Sequence, residues 1–480
     1  MAVDKRLRIL PFSVRTGLAM SIVPQHLIAH SFGIENNPAK VSWFSAGYSL
    51  TAGTCILIAG RLGDVFGHKR FFVGGFFWFS LWSLLAGVAV YSTPEFFAFC
   101  RAMQGIGPAL MLPNAMAIIG LCYNPGLRQN LMFSLFGATA PSGFLLGAVF
   151  SSLLSEFAWW PWSYWIMCFV CLFLALASIF ITPGAPPQSS SGPGRENASI
   201  WQRIDIFGSI AGVTSLALFD FAWNQGPVVG WSTPYTYIIL IISILAFIVF
   251  VLIEKRVRYP LIPFGVLKID ALFNLACVSA GWSSFGIFVY YMWNFLVVLR
   301  GQSTLYSSAQ FVPISICGIL AALTTGLALG HFRASTVMVL AMLAFLASGI
   351  IFATVPVHHT YWAQTFVGIV LFPWGMDMSF PAATIVMSRA MPREHQGLAG
   401  SLVSTFVNYS ISIGLGVAGT VEAQVDDNGK NTLQGYRGAF YLGVGLAGLG
   451  VVVALVFCLV ERIRGEAPDE ASDERQKVTS

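Results

Sequence analysis

Apolar residues come in this chain as unbroken runs of about twenty, of which PYTYIILIISILAFIVFVLIE at 234–254 is the plainest. A helix of that length crosses a hydrocarbon core of about 30 Å. Lipid offers the backbone no hydrogen bonds, so only helices and closed barrels span it, and runs this long and continuous are helical. The composition agrees, with 56% of residues hydrophobic and 10% charged, where a soluble chain carries about 25% charged residues. The expected fold is an all-α polytopic membrane protein.

Spans fall near 14–33, 41–60, 71–90, 96–119, 131–153, 162–182, 205–223, 235–253, 272–292, 306–329, 335–354, 361–384, 398–420 and 437–460, fourteen in all. The first has the thinnest apolar core, because Arg15, His26 and His30 interrupt it. The cations test the count. With the N-terminus inside, one side carries Lys5, Arg6, Arg8, Arg15, Arg61, Lys69, Arg70, Arg128, Arg195, Arg203, Lys255, Arg256, Arg258, Lys268, Arg333, Arg389, Arg393, Arg462, Arg464, Arg475 and Lys477. The other side holds only Lys40, Arg300, Lys430 and Arg437, and Arg101 lies within a span. Such an imbalance is the positive-inside rule, and a wrong count would scramble it. Both termini are expected in the cytoplasm of a multi-pass protein, in the plasma membrane or else the vacuolar membrane.

The N-terminal cations are followed by no A-x-A-like cleavage site, so a removed signal peptide is not expected. The Pro-, Ser- and Gly-rich stretch 183–204 reads as a flexible cytoplasmic linker. There the sequon Asn197-Ala-Ser199 stays bare. Residues 254–271 read as a cytoplasmic loop, 421–436 as a solvated external loop, and 461–480 as a disordered cytoplasmic tail.

Between spans two and three, GRLGDVFGHKR (Gly60 to Arg70) crowds polarity between two apolar runs. Its glycines permit a tight turn, and Lys69 and Arg70 anchor span three at the headgroups. Asp64 can accept hydrogen bonds from a helix N-terminus and pair with a cation. A clasp of that kind holds two helical bundles together on one side of a membrane.

The segment resembles the G-x-L-x-D-x-x-G-x-[KR]-[KR] loop of the major facilitator superfamily, through Gly60, Leu62, Asp64, Gly67, Lys69 and Arg70, with Val65 where the family usually has Arg. CRAMQGIGPALMLPN is similar to the family's fourth-helix motif, with Arg101, Gln104, Gly105 and Gly107 in place. The fifth-helix antiporter motif, G-x-x-x-G-P-x-x-G-G, is half kept. Gly143 and Gly147 match, Ala148 replaces the Pro, Ser151 and Ser152 replace the paired glycines, and Pro141 lies upstream. GLALGHFR (Gly326 to Arg333) is a degraded echo of the opening loop without its Asp.

The resemblance implies two six-helix halves, 14–182 and 272–460, with 205–253 as two extra helices between them. That layout resembles the fourteen-span drug:proton antiporter group. AGRLGDVFGHKR, FGATAPSGF, GMDMSFPAA and SLVSTFVNYSISIGLG are most similar to a fungal branch of aminotriazole and boron exporters and low-affinity ammonium transporters. It implies a monomer in the bilayer whose halves rock about a central cavity, with a small molecule and protons as its partners.

Ionisable groups inside a membrane are costly and imply a partner or a task. Arg101 can tune a carboxylate or bind an anion, or it can be tied to backbone carbonyls. Asp377, between Gly375 and Pro381, can carry a proton or contact substrate, or it can be helix glue. Asp220 reads as an interfacial or packing group, and His26 and His30 as packing histidines. Gln104, Asn114 and Asn408 are candidates for orienting a substrate, because a buried amide needs a partner. Phe133, Phe136 and Tyr409 lie on spans that line the family's cavity, and for each core packing is the competing reading.

The eight cysteines have no metal-ligand spacing and read as reduced apolar side chains. No metal or cofactor is expected, and no basic stripe points to nucleic acid. HExxH, G-x-S-x-G and phosphate-loop patterns are missing, so an enzyme is not expected. The reading is a proton-coupled exporter of a small organic compound (drug, toxin or secondary metabolite). The alternatives are a facilitator or exporter of borate or ammonium, and a non-transporting membrane sensor.

Overall fold

The chain is seen in a computed structural model describing residues 17, 20, 24–34, 38–123, 126–182, 204–257, 260–262, 269–391, 396–426 and 430–466. Among these every regular element is helical. The first helices are α1 (Gln25–Ser31), α2 (Pro38–Phe66), α3 (His68–Val88), α4 (Pro94–Cys122), α5 (Leu127–Phe157) and α6 (Pro161–Ile181). A pair follows, α7 (Ile206–Val229) and α8 (Pro234–Glu254). The rest are α9 (Ile269–Asn294), α10 (Thr304–Gln310), α11 (Val312–His331), α12 (Ala334–Thr354), α13 (Phe366–Ala390), α14 (Gln396–Val425) and α15 (Thr432–Glu466).

Twelve helices among the described residues are long and apolar enough to cross a membrane, not the fourteen expected. Of the remaining two, 14–33 is described at 17, 20 and 24–33, where its helix α1 has seven residues. Helix α5 is 31 residues long, enough to cross a membrane, and the side chains at 138, 140, 141 and 144 within it lie outside the described residues. The expected linker lies outside the described residues from 183 to 203, and so does the tail from 467 onward.

Two boundaries differ from expectation. Helix α15 continues to Glu466, into the segment expected to be a disordered tail. It is held there because Ser335 donates to the Glu461 carboxylate and Arg333 Nη1 donates to the Glu461 carbonyl at 3.5 Å. The expected solvated loop 421–436 is mostly helix, since α14 runs to Val425 and α15 starts at Thr432. Glu422 is therefore a helical residue, accepting from the Tyr291 hydroxyl at 2.7 Å.

The helices pack as two groups. Helices α2 and α3 lie against α4, with α6 against α3; in the second group α9, α12 and α14 lie against α15, and α11 and α12 against α13. Between the groups runs a seam formed by α2 and α4 with α14, and by α5 with α11 and α13. Small residues bring helices close: a Cβ on Gly75 would stand 2.9 Å from the Gly107 carbonyl, which locks α3 to α4.

The α7–α8 pair sits on α2 and α14. Toward α14 its contacts are polar. Trp223 Nε1 donates to the Ile413 carbonyl at 2.9 Å, Trp231 Nε1 donates to Thr420 Oγ1 at 2.9 Å, and Ser412 donates to Asp220. Toward α2 they are apolar, with Trp43 and Phe221 ring centroids 5.2 Å apart. Gly416 faces the Trp223 indole so closely that a Cβ would fall 2.6 Å from Nε1. Gly416→Leu is therefore expected to push α7 off α14 and cost about 1–3 kcal/mol. A thermal melt of purified protein reads this as a lowered Tm, and an unchanged melt would contradict the packing.

Candidate functional site

The opening stretch forms the junction of α2 and α3. Gly67 breaks the helix with φ of +101°, a conformation that suits glycine. Asp64 and His68 then face each other across one turn, Asp64 Oδ1 lying 3.4 Å from His68 Nε2. The other ring nitrogen of His68 is 2.9 Å from Asn114 Oδ1. Asn114 Nδ2 donates to the Ala59 carbonyl at 3.1 Å and to the Leu110 carbonyl at 2.7 Å. The chain Asp64–His68–Asn114 thus binds the turn to α4. A Cβ on Gly63 would collide with the Asn114 oxygen, so only glycine leaves room for this arrangement.

Lys69 Nζ donates to the Ile179 carbonyl at 2.7 Å, in the last turn of α6, where the helix dipole favours a cation. Gly60 is buried at the end of α2, and Arg70 is exposed. Asn114, expected as a substrate contact, has both donors and its oxygen engaged in bracing the turn.

Arg101 is fully buried on α4. Its Nε donates to the Phe44 carbonyl at 3.1 Å, its Nη2 to the Gly17 carbonyl at 2.8 Å, and its Nη1 to Gln104 Oε1. The guanidinium lies 4.6 Å from the Tyr48 ring centroid and 5.7 Å from that of Tyr164, within cation–π range. Gln104 completes the network by donating to Ser83 Oγ at 2.6 Å. Arg101 therefore gathers the first expected span, α2, α4 and α6. The neighbouring Gly105 lets α4 press on the Tyr48 carbonyl of α2.

The seam holds the other candidates. Phe136 on α5 stacks on Phe380 of α13, 6.4 Å between centroids, and Phe380 meets Trp282 of α9 edge-on at 6.1 Å. A Cβ on Gly137 would lie 3.1 Å from Pro381 Cγ. Asp377, one turn before Pro381, is buried with 1% exposure. Asn408 on α14 donates to the Ser404 carbonyl at 2.8 Å, and Tyr409 beside it faces Gly53 of α2. Phe133 is buried. Pro141, Gly143 and Gly147 all fall within α5, and both glycines are buried. Asp220 is buried against Ser412 and Asn224, the latter donating to Asp220 Oδ1 at 3.1 Å. His30 is exposed, and the His26 side chain lies outside the described residues.

The family model described as Major Facilitator Superfamily matches residues 10–332 and 271–480. The chain belongs to the Major Facilitator Superfamily. It is 58% identical over 445 residues to the Low affinity ammonium transporter of Saccharomyces cerevisiae, covering 92% of this chain and 85% of that one. It is 47% identical over 446 residues to Efflux pump terJ of Aspergillus terreus, with 93% and 85% covered. Its fold matches that of the human organic anion transporter MFSD10 with a TM-score of 0.61 at 14% identity, over 93% of this chain and 99% of the other. The protein is thus a helical membrane transporter of this superfamily.

Sequence reasoning missed His68, which joins the superfamily turn to Asn114. Its signal was the odd residue between Gly67 and Lys69, unreadable until α4 was known to pass beside it. The superfamily-motif Arg101 yields a test. Arg101→Ala leaves two carbonyls and Gln104 Oε1 without their donor, and Arg101→Lys supplies a point charge in place of a planar fork. Both variants are expected to lose about 2–5 kcal/mol of stability. Size-exclusion recovery after heating measures it, and a wild-type profile for Arg101→Lys would contradict the fork geometry.

Proposed function

We propose that the protein exports a small organic compound by proton antiport, through alternating access. It works as a fourteen-span monomer whose halves, 14–182 and 272–460, rock about the seam while the α7–α8 pair rides beside it. Both termini lie in the cytoplasm, and the membrane is the plasma membrane; the sided cation distribution supports that orientation.

The observation that carries the reading is Asp377, a carboxyl buried to 1% on the helix whose Phe380 and Pro381 meet α5 across the seam. An anion there is costly. Taking up a proton on one side and releasing it on the other changes which packing of the seam is favoured. Aromatic rings continue from the seam into the second half: Trp282 and Phe285 lie 4.8 Å apart, and Phe285 and Phe372 stack at 5.2 Å. Rings in that number suit an apolar organic compound, and the relative Efflux pump terJ favours export. Gly60, Asp64, Gly67, Lys69 and Arg70 form the cytoplasmic clasp of the motion.

A second reading is a facilitator of ammonium, favoured by the 58% identity to the Low affinity ammonium transporter. Vesicles carrying the protein and a pH-sensitive dye discriminate the two. On adding a panel of apolar organic compounds under an imposed pH gradient, the exporter moves protons against one or more of them, and Asp377→Asn abolishes the flux. Unchanged gradient-driven flux in Asp377→Asn overturns the proton role. Movement of methylammonium alone gives the second reading.

A further inference from the structure

Away from the seam, two acidic side chains are buried together at the base of the α7–α8 pair. Asp205 precedes α7 and is 4% exposed, while Glu254 ends α8 and is 3% exposed. Each uses one oxygen locally. Asp205 Oδ1 accepts from Gly208 N at 3.0 Å, and Glu254 Oε2 accepts from Ile262 N at 3.0 Å. The other oxygen of each, Asp205 Oδ2 and Glu254 Oε1, has no hydrogen-bond partner outside the pair. Both point at one spot. A Cβ on Gly208 would strike Asp205 Oδ2 and stand 2.8 Å from Glu254 Oε1.

Two carboxylate anions converging in a buried place repel each other, and among the described residues no cation is bonded to their free oxygens. Helix α7 adds only Asp220, fifteen residues further along, and α14 adds only Glu422, near its far end. Helix α2 carries Arg61 and Asp64 on its described part, and no hydrogen bond from α2 reaches Asp205 Oδ2 or Glu254 Oε1. Lys255 and Arg256 in the loop after α8 are exposed. Both oxygens lie within 2.8 Å of the one point that a Gly208 Cβ would occupy, so they converge closely enough to share a proton.

We propose that Asp205 and Glu254 form a proton-binding site, a carboxyl–carboxylate pair holding one proton between Asp205 Oδ2 and Glu254 Oε1. One carboxyl donates its O–H, the other accepts, and the pair carries a single negative charge. The site lies at the same end of the bundle as the Gly60–Arg70 turn, because Leu57 of α2 stands opposite Gly212 and Trp43 opposite Phe221. Losing the proton to that side leaves two anions, which drives α7 and α8 apart at their base. Glu254 also anchors Ile262, and the adjoining Leu261 is fully buried in the core of the second group. The proton therefore couples the pH on that face to the chain entering α9.

The shared proton needs both oxygens in place, and unfolding separates them. Stability contributed by the pair is therefore present in acidic buffer and lost as pH rises through release from the folded pair. Glu254→Gln mimics the protonated form, its amide donating to Asp205 while its oxygen still receives Ile262 N–H. Asp205→Asn does the same from the other side, and Asn tolerates the φ of +49° found there.

The test is made on purified full-length protein in lipid nanodiscs. The wild-type Tm is expected to fall by several degrees from mildly acidic to mildly alkaline buffer, and either variant to remove most of that fall. The infrared difference between the wild type and either variant at neutral pH is expected to show the loss of one protonated-carboxyl component, with Asp377 common to both sides of the difference. Neither readout involves transport, so the result is independent of the export reading. Retention of the wild-type pH slope and carboxyl band in both variants overturns the proposal. So does a wild-type Tm that rises with added sodium or calcium at fixed alkaline pH and loses that response in Glu254→Gln, because a metal cation then fills the place given to the proton.

Discussion

Lipid gives a polar side chain nothing to bond to, so a buried one looks for its partner within the protein, on its own helix or on another. Arg101 shows the consequence most fully. Its three nitrogens reach two backbone carbonyls and one amide, and two tyrosine rings cover it. The first expected span, α2, α4 and α6 are placed by that single guanidinium. Asn114 does the same for the α2–α3 turn, and Asp220 for α7 on α14. Hydrogen bonds that water would weaken at a surface are here the fixed points of the fold.

The distribution of those bonds bears on motion. Within the first group, polar and directional fastenings such as those of Arg101 and Asn114 join the helices. Across much of the seam they are apolar: Phe136 on Phe380, Gly137 against Pro381, Gly326 against Leu131, Gly400 against Met116. Apolar surfaces can slide without exposing an unsatisfied donor, whereas Arg101 cannot leave its carbonyls cheaply. Polar links across the seam include the Ser152 and Ser308 hydroxyls, 3.2 Å apart, and Leu305 N, which donates to Glu156 at 3.2 Å. Two stitched bodies meeting along a smooth surface are what a rocking motion requires.

Much of this was legible in the chain. Apolar runs of helical length set most of the spans, and Arg101 was read as lying within one of them. What could not be read was partnership. His68 and Asn114 are forty-six residues apart, and nothing in either neighbourhood says they touch. Asn114 was therefore expected to face a substrate, when its amide braces a turn. Asp205 and Glu254 were hidden differently: they stand forty-nine residues apart at the ends of two runs, and only the fold brings their carboxylates together beside Gly208. Helix ends in the loops were misjudged where charge was taken for disorder, as at Glu461, whose carboxylate holds Ser335.

The central claim is that the two groups of helices move as bodies about the seam. Spin-label distances test it most directly, with one label at Cys122 on α4 and one replacing Arg389 on α13, both exposed at the same end, and the other cysteines removed. In nanodiscs the account predicts two distance populations whose ratio shifts with pH, and whose balance is fixed by Asp377→Asn. A single distance, unmoved by pH and unchanged in the variant, would contradict it.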